Sequence, residues 1–437
     1  MAKSVFVLID CNNFFVSCER VFRPDLADKP VAVLSNNDGC IVARSNEVKK
    51  LGVPMGAPEF KWRDVLGKND VTLFSANFLL YGDFSRRVVD VLSRVTPHIE
   101  VYSVDESFLE TGSLLIKDYA KWGQQLRQRI YREIGIPVSL GIGPSKTLAK
   151  AATEYAKQEA STNGVVVITE TALPGPSNLP SHAVLSSLPI EDVWGVGRRL
   201  APQLRRLGLR TALDLAKVSP PWARQHLTIR GERMVRELKG ESCFPLADEG
   251  LDHAQKSLAV TRSFGHNLRA IHELEKAVAT FATRAATKLR RKDQIAAAMV
   301  VFISTGAHAQ DQFRPSTLLQ LEYPTNDTSQ LVAAAVTGLE RIYDNNFAYR
   351  KAGVILTDLR PGFAQQTNFA QRGQLEALAS RDRLMASIDT VNRKYGTDTL
   401  KTARQGAKNK EKWQSKRERV SPAYTTKWTE IAVLGAR

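Results

Sequence analysis

Short apolar runs alternate with longer stretches of helical periodicity over the first 164 residues of the chain. Runs rich in β-branched residues, or alternating apolar and polar positions, predict strands at residues 5–9, 31–34, 71–74, 99–102 and 138–142. Apolar residues that recur every three or four positions predict helices at residues 78–95, 116–134 and 146–157. Interleaved strands and helices are typical of an α/β or α+β domain.

The pattern changes after this first part of the chain. Residues 169–187 are rich in Pro, Ser and Asn without an apolar period, which predicts a connection. Helical patterns then dominate residues 189–241. Beyond Cys243 the pattern predicts strands at 257–264, 297–304, 316–321 and 352–356 and helices at 274–291 and 330–343. These elements indicate a second, smaller α+β domain.

The tail after Arg360 is of a different kind, with a run dense in cations from residue 401 to 419. Such a run is typical of a disordered polybasic arm. Trp413, Tyr424 and Trp428 argue against full disorder, because aromatic residues are scarce in disordered arms.

The length of the chain predicts its number of domains, and its charge predicts the kind of partner that it binds. A chain of 437 residues with 43% hydrophobic content predicts about three folded domains. The formal net charge of +16 points to a polyanionic partner. Residues 195–239 carry eleven Lys and Arg against three Asp and Glu, and residues 361–437 carry fifteen against seven. The positive excess is therefore confined to two segments, which indicates dedicated binding surfaces.

Cysteine use and hydropathy indicate the cellular compartment of the protein. Cys11, Cys18, Cys40 and Cys243 form no CxxC pair and no disulfide framework, which favours a reducing cytoplasm. The first apolar run ends at Asp10 and is too short for a signal peptide, and no later run has the length of a membrane span. We therefore expect a soluble cytoplasmic protein.

Three carboxylates form the candidate chemistry. Asp105 and Glu106 lie between the strand-like residues 99–102 and a second apolar run that starts at Ser107, which predicts a hairpin with both acids near its turn. Adjacent strand residues point to opposite faces, so both acids reach one point only where the backbone bends. Asp10 ends another predicted strand, and carboxylates at one sheet edge suit Mg²⁺. The alternative is a solvated β-turn.

A second candidate site lies in the basic segment. Residues 193–199 and 204–209 have the spacing of a helix-hairpin-helix, in which Gly195 and Gly197 permit a tight turn. Backbone N–H groups in such a turn can bind a DNA phosphate without reading the base sequence, and Arg198 and Arg199 lie next to it. The alternative is an ordinary helical turn that contains glycine.

Several motifs together resemble one known family, the Y-family translesion DNA polymerases, and within it the UmuC type, the catalytic subunits of bacterial DNA polymerase V. The resemblance extends over essentially the whole chain. The motifs that carry it are residues 10–19, 35–44, 102–106, 147–150, 192–199 and 262–265.

The resemblance implies an α+β multidomain fold, the right-hand polymerase architecture. It implies a ferredoxin-like palm, small fingers, a helical thumb with a helix-hairpin-helix, an α+β little finger and a C-terminal extension. The expected ranges are 1–23 and 75–168 for the palm, 24–74 for the fingers, 169–241 for the thumb, 250–360 for the little finger and 361–437 for the UmuC-type region.

The resemblance also implies an activity and its site residues. Asp10, Asp105 and Glu106 would bind two Mg²⁺ ions, for template-directed, low-fidelity addition of dNTPs to a primer 3′-hydroxyl in SOS-type damage tolerance. Phe15 stands at the position of the steric gate, where the UmuC branch usually has Tyr. The cations expected near the triphosphate are Arg44, Lys49 and Lys157.

The partners implied are primer-template DNA, a cleaved UmuD-type dimer, RecA and the sliding clamp. The residues expected at the DNA are Gly195, Gly197, Arg198, Arg199 and Arg262. Gln365 and Phe369 match a clamp-binding peptide that is weakened by Asn368, where Leu is usual.

Two alternatives to the polymerase are a non-catalytic DNA-binding scaffold with a decayed polymerase fold, and a nucleotide cyclase with a similar palm. The intact acids argue against the scaffold. A cyclase would not explain the basic segment 195–239 or the domain that follows it.

Overall fold

The computed structural model describes residues 4–169, 177–247, 255–362, 372–406 and 411–432, without the side chains of 372–379. The chain divides into two compact units. The first comprises Met1–Ser35, Cys40–Leu251 and Arg419–Arg437, and the second comprises Asn36–Gly39 and Asp252–Glu418. No helix over the described ranges combines the length and the apolar character needed to cross a bilayer.

The first unit contains nine strands and ten α-helices over its described residues. The strands are β1 (Phe6–Cys11), β2 (Val31–Leu34), β3 (Ile41–Arg44), β4 (Thr72–Ser75), β5 (Ile99–Val101), β6 (Glu106–Glu110), β7 (Val138–Gly143), β8 (Val165–Ile168) and β9 (Asn178–Leu179). The helices are α1 (Phe14–Val21), α2 (Asn46–Lys50), α3 (Glu59–Lys68), α4 (Phe78–Ser93), α5 (Tyr119–Ile134), α6 (Lys146–Gln158), α7 (Ser181–Ser187), α8 (Leu200–Arg206), α9 (Ala212–Lys217) and α10 (Pro220–Leu238).

A six-stranded sheet in the order β5-β6-β1-β7-β8-β9 forms the centre of this unit. Strand β1 pairs antiparallel with both β6 and β7, and all six of its residues are buried. Alternate residues of a strand face opposite sides of the sheet. Val7 and Ile9 accordingly share a core with α4 and α5, whereas Phe6 and Leu8 pack with Ala149 of α6. Asp10 lies two residues after Leu8 and therefore on the same face of the strand, toward α6.

Smaller cores complete the first unit. The order β3-β2-β4 forms a three-stranded sheet, in which β2 runs parallel to β4 and antiparallel to β3. Apolar residues of β2, α2 and α3 make its core, including Leu34, Val48 and Leu66. Helices α7 to α10 bury their apolar faces with one face of α6 in a separate cluster. Helix α6 therefore packs on the sheet through one face and on the helical segment through another.

Helix α6 lies unusually close to strand β7. A methyl group at Gly141 would lie 2.0 Å from the carbonyl oxygen of Ala149 and 2.3 Å from the backbone nitrogen of Thr153. Only glycine leaves room for this approach of helix and strand backbones, which sets the distance between α6 and the sheet.

The second unit is an antiparallel sheet covered by helices. Its strands are β10 (Ser257–Leu268), β11 (Gln294–Ser304), β12 (Ser316–Thr325) and β13 (Tyr349–Pro361), in the order β10-β13-β11-β12. Its helices are α11 (Ile271–Arg291), α12 (Thr328–Ile342) and α13 (Arg372–Tyr395). Trp413 is buried in its core against Phe281, with ring centroids 5.6 Å apart. The expectation that the cationic tail is not fully disordered is thus confirmed at Trp413.

Every strand and helix predicted from the hydrophobic pattern is present, with bounds shifted by up to five residues. The connection predicted at 169–187 has regular structure in its last part, which contains β9 and then α7 from Ser181. Pro180 precedes this helix, where the missing N–H of proline costs no helical hydrogen bond. Among the elements missed, β8 is a run of four β-branched residues that the strand rule covers, whereas β3 and α13 have no distinctive period. The segments predicted as fingers and as C-terminal region each contribute to both units, and the domain boundaries stay predictions.

We expect the substitution Gly141→Ala to lower the stability of the chain, because its methyl group would force α6 away from β7. The expected loss in free energy of unfolding is about 1–3 kcal/mol or more. Gly82→Ala is the matched control: Gly82 lies inside α4 with open space around it, so the change should be neutral or stabilising. Thermal unfolding of both variants measures the difference, and an unchanged midpoint for Gly141→Ala would contradict the close packing.

Candidate active site

The sheet brings three carboxylates to one end of β1. Asp10 stands directly opposite Glu106 in the antiparallel register of β1 and β6. The next residue, Cys11, donates its backbone N–H to the carbonyl oxygen of Asp105 at 2.9 Å. This bond extends the ladder into the turn between β5 and β6, so Asp105 is held beside Asp10. The predicted hairpin with acids near its turn is confirmed.

Ser103 shapes the turn that carries the acid pair. Its hydroxyl donates to Oδ1 of Asp105 at 2.6 Å and accepts from the backbone N–H groups of Glu106 at 2.9 Å and Asp105 at 3.3 Å. A side chain bound to its own turn in this way restricts the backbone locally. The bend that lets both acids approach one region is therefore built by Ser103.

Two lysines of α6 meet the carboxylates. The Nζ of Lys157 lies 2.7 Å from Oδ2 of Asp10 and 2.9 Å from Oε1 of Glu154. Lys150, seven residues earlier on the same helix face, is ion-paired with Glu106. The sequence reasoning assigned Lys157 to the site but missed Lys150. Its spacing from Lys157 was the available signal, since residues seven apart share one face of a helix.

Burial and charge act against each other at Asp10. Burial raises the pKa of Asp10, the charge and hydrogen bond of Lys157 lower it, and the nearby Glu106 raises it, so that the pKa of Asp10 lies at about 7. Burial lowers the pKa of Lys157, but the charges of Asp10 and Glu154 dominate and raise it overall. Buried carboxylates that crowd one another favour a bound cation, and the lysines supply that charge here.

The three carboxylates are possible oxygen ligands of a divalent ion. Over the described ranges, no three His, Cys, Asp or Glu side chains converge closely enough to hold a metal by themselves. Mg²⁺ is usually bound by one or two carboxylates together with substrate phosphates and water, not by a closed protein cage. Adjacent carboxylates at an open cavity fit that requirement.

A cavity of about 510 Å³ opens beside the carboxylates. The predicted site residues that line it are Asp10, Phe15, Arg44, Lys49, Asp105 and Lys157. Glu106 is joined to this set through its register with Asp10. The structure thus brings together the predicted acids, the predicted aromatic wall and the three predicted cations.

Three cations share this cavity. Arg44, at the end of β3, donates to the carbonyl oxygen of Val53, and its Nε is buried without a partner among the described residues. Burial lowers the pKa of Lys49, and the positive charges of Arg44 and Lys157 lower it further. Cations that repel one another in this way are stabilised by a polyanion, so the cavity suits a phosphate chain.

The two phenylalanines at the start of α1 have different surroundings. Phe14 is 3% exposed and belongs to the core, whereas Phe15 is partly buried and forms part of the cavity wall. The ring of Phe15 stacks on Tyr81, with centroids 4.4 Å apart and planes 14° apart. Phe78 meets it edge-on at 6.0 Å. An aromatic platform therefore fixes the plane of Phe15.

The predicted helix-hairpin-helix precedes α8. Gly195 has a φ of 95°, a left-handed conformation that favours glycine. The four residues predicted at DNA, Gly195, Gly197, Arg198 and Arg199, are all exposed, while Val193, Val196 and Leu204 anchor the segment in the core. Among the described residues, the side chains of Arg198 and Arg199 make no hydrogen bond or ion pair, so both exposed guanidinium groups are available to a ligand.

The remaining predicted residues lie elsewhere. Arg262 is partly buried on β10 of the second unit. Its burial lowers its pKa, and the positive charges of Arg284 and Arg417 lower that pKa further. Gln365 and Phe369, the predicted clamp contacts, lie outside the described residues.

Comparison with known proteins gives consistent matches along the chain. Residues 9–154 match the model of the impB/mucB/samB family, and residues 255–369 match the C-terminal domain of the same family. Residues 182–209 match the helix-hairpin-helix motif of this group. UmuC of Salmonella typhimurium is 39% identical over 98% of this chain and 99% of its own length. The chain belongs to the impB/mucB/samB family.

Other relatives of this impB/mucB/samB protein are named polymerases. DNA polymerase IV of Oceanobacillus iheyensis is 26% identical over 93% of each chain. A solved Y-family DNA polymerase chimera of Dbh and Dpo4 has a TM-score of 0.60 and 20% identity, covering 82% of this chain and 99% of its own. The chain therefore has the α+β multidomain fold of Y-family polymerases and is a UmuC-type DNA polymerase of translesion synthesis in SOS damage tolerance.

Polymerases of the Y family depend generally on divalent metal ions, in agreement with the carboxylates of the cavity. Residues 382–434 match a domain of unknown function, so the family model gives the C-terminal region no role.

Proposed function

We propose that this polymerase binds two Mg²⁺ ions through Asp10, Asp105 and Glu106 and adds dNTPs to the 3′-hydroxyl of a primer paired with template DNA. The observation that carries this proposal is the pairing of Asp10 with Glu106 across β1 and β6, with Asp105 held beside them by the Cys11 N–H. When bound, the ions would lower the pKa of the primer hydroxyl and stabilise the charge of the leaving pyrophosphate.

Arg44, Lys49 and Lys157 bind the triphosphate in this proposal. All three line the cavity, and the charges of Arg44 and Lys157 already lower the pKa of Lys49. A bound triphosphate relieves that repulsion and orients the nucleotide toward the carboxylates. Lys157 then has a second role, because its ion pair with Asp10 compensates a buried carboxylate in the absence of ligand.

Phe15 selects the sugar of the incoming nucleotide in this proposal. Its ring lies in the cavity wall and is backed by Tyr81, so it cannot easily retreat. A ribose 2′-hydroxyl against such a wall would meet apolar carbon without a hydrogen-bond partner or the space for one, which disfavours ribonucleotides.

DNA is bound in this proposal by the exposed turn at Gly195 and Gly197 with Arg198 and Arg199, and by Arg262 of the second unit. In this proposal residues 1–23 and 75–168 form the palm, 24–74 the fingers, 169–241 the thumb and 250–360 the little finger. In this proposal the polymerase acts in the cytoplasm together with a cleaved UmuD-type dimer, RecA and a weakly bound sliding clamp. The similarity to UmuC supports this part of the proposal.

We expect Asp105→Asn to abolish primer extension, because the amide replaces a charged oxygen ligand. A loss of several kcal/mol of transition-state stabilisation lowers the rate about a thousandfold or more. Primer extension with Mg²⁺ and dNTPs measures the rate, and fluorescence anisotropy should show nearly unchanged DNA binding. Asp90→Asn, an exposed position on α4, is the control and should extend normally. Extension by Asp105→Asn at near wild-type rate would refute the assignment.

We expect Phe15→Ala to increase ribonucleotide incorporation, because the wall next to the sugar is removed. The ratio of kcat/KM for a dNTP to that for the matching rNTP should fall at least about tenfold. Single-nucleotide incorporation assays measure both values. Phe15→Tyr keeps the wall and should retain the wild-type ratio, and an unchanged ratio in Phe15→Ala would exclude Phe15 as the gate.

We expect the double substitution Arg198→Gln and Arg199→Gln to weaken DNA binding similarly for all sequences, because the contacts are to phosphates. The slope of log K against log salt should become shallower by about two. Arg94→Gln with Arg129→Gln removes the same charge from two arginines already paired with Glu133. If this control variant loses as much affinity as the test variant, general charge and not the hairpin accounts for binding.

A further inference from the structure

A short C-terminal segment, residues 419–424, packs within the first unit. The backbone N–H of Ser75 donates to the carbonyl oxygen of Arg419 at 2.9 Å, and the N–H of Arg419 donates to Oγ of Ser75 at the same distance. Ser75 and Val420 form a parallel bridge. Because β4 is an edge strand of the three-stranded sheet, the segment adds to that edge close to the start of α4.

Ser421 enters a buried polar cluster. Glu19 of α1 is fully buried, and Oε1 of this residue accepts from the hydroxyl of Tyr81 at 2.6 Å and from the hydroxyl of Ser421 at 3.1 Å. Its other oxygen has no partner among the described residues. Two hydroxyl donors, one of them from the C-terminal segment, therefore serve the same oxygen of this buried carboxyl group and are its only hydrogen-bond donors among the described residues.

Asn77 holds Ser421 in place. The side-chain amide of Asn77 donates to Oγ of Ser421 at 3.1 Å and to its carbonyl oxygen at 3.3 Å. The amide oxygen of Asn77 caps α4 by accepting from the N–H of Leu80. One residue thus joins the C-terminal segment to the first turn of the helix that carries Tyr81.

An aromatic contact fixes the far end of the segment. Tyr424 stacks on Phe22 with centroids 4.2 Å apart and planes 13° apart. Backbone pairing at Ser75 and this stack hold the segment on both sides of Ser421. The position of the Ser421 hydroxyl is therefore determined by contacts that do not involve the nucleotide cavity.

The polar cluster is connected through Tyr81 to Phe15 in the wall of the cavity. Tyr81, whose hydroxyl is bound by Glu19, is the residue on which Phe15 stacks in the cavity. A buried carboxyl group that loses a donor is costly, so the surrounding side chains shift to restore a partner. Tyr81 is the other donor, and its shift would move the surface that supports Phe15.

We propose that residues 419–424 are a structural part of the nucleotide site and that Ser421 is a positioning residue for sugar selection, acting through Glu19 and Tyr81 on Phe15. The inference rests on the proposed role of Phe15 as the gate. It gives the C-terminal region a role inside the polymerase itself, in addition to any contact with a partner.

The test compares Ser421→Ala with Thr429→Ala in the full chain. Each variant removes one hydroxyl from the C-terminal region, but Thr429 is exposed. The ratio of kcat/KM for a dNTP to that for the matching rNTP should fall about three- to tenfold in Ser421→Ala, through a lower KM for the rNTP. Thr429→Ala should keep the wild-type ratio. Tyr81→Phe keeps the ring and loses the hydroxyl, so it should act in the same direction.

A double substitution separates positioning from a general loss of structure. In a Phe15→Ala background, Ser421→Ala should have no further effect on the dNTP to rNTP ratio, because the wall it positions is absent. An equal effect of Ser421→Ala with and without Phe15 would overturn the inference. An unchanged ratio in Ser421→Ala would also overturn it, provided that Phe15→Ala alone lowers the ratio. If Phe15→Ala has no effect, the gate proposal fails first.

Discussion

The antiparallel register between β1 and β6 is the constraint on which the rest of the site depends. It places Asp10 opposite Glu106, and the strand period turns both toward α6. A shift of β1 by one residue would send Asp10 to the opposite face, into the apolar core shared with α4 and α5, while Glu106 stayed on the face toward α6. The buried side chains on either side of β1 oppose such a shift, so packing of the sheet specifies the position of the chemistry.

The site is held together by charges that compensate one another without ligand. Asp10 and Glu106 are each paired with a lysine of α6, and the close contact of α6 with β7 at Gly141 sets how near those lysines come. Burial raises the pKa of Asp10, and burial followed by the charges of Arg44 and Lys157 lowers the pKa of Lys49. The cavity is lined by both acids and bases, which suits a metal-bound triphosphate.

Aromatic and polar support extends the site beyond the residues that meet substrate. Phe15 depends on Tyr81 for its plane, and Tyr81 shares the buried Glu19 with Ser421. A buried carboxyl group that loses a hydrogen-bond donor is costly, because no solvent replaces the lost bond. The C-terminal segment belongs to the first unit through these hydrogen bonds and its backbone pairing with Ser75, although the chain passes through the second unit before reaching it.

The sequence by itself determined the elements and the chemical residue types, because hydrophobic period, turn residues and the acid pair at 105 and 106 are local features. It predicted the hairpin and, from Trp413, a tail that is not fully disordered, and the motif resemblance supplied Phe15. Only the tertiary structure decided the partners of the acids and of the gate. Lys150 meets Glu106 across 44 residues, and Ser421 meets Glu19 across 402. No periodicity in the chain encodes such pairs, because they arise only when separate elements pack.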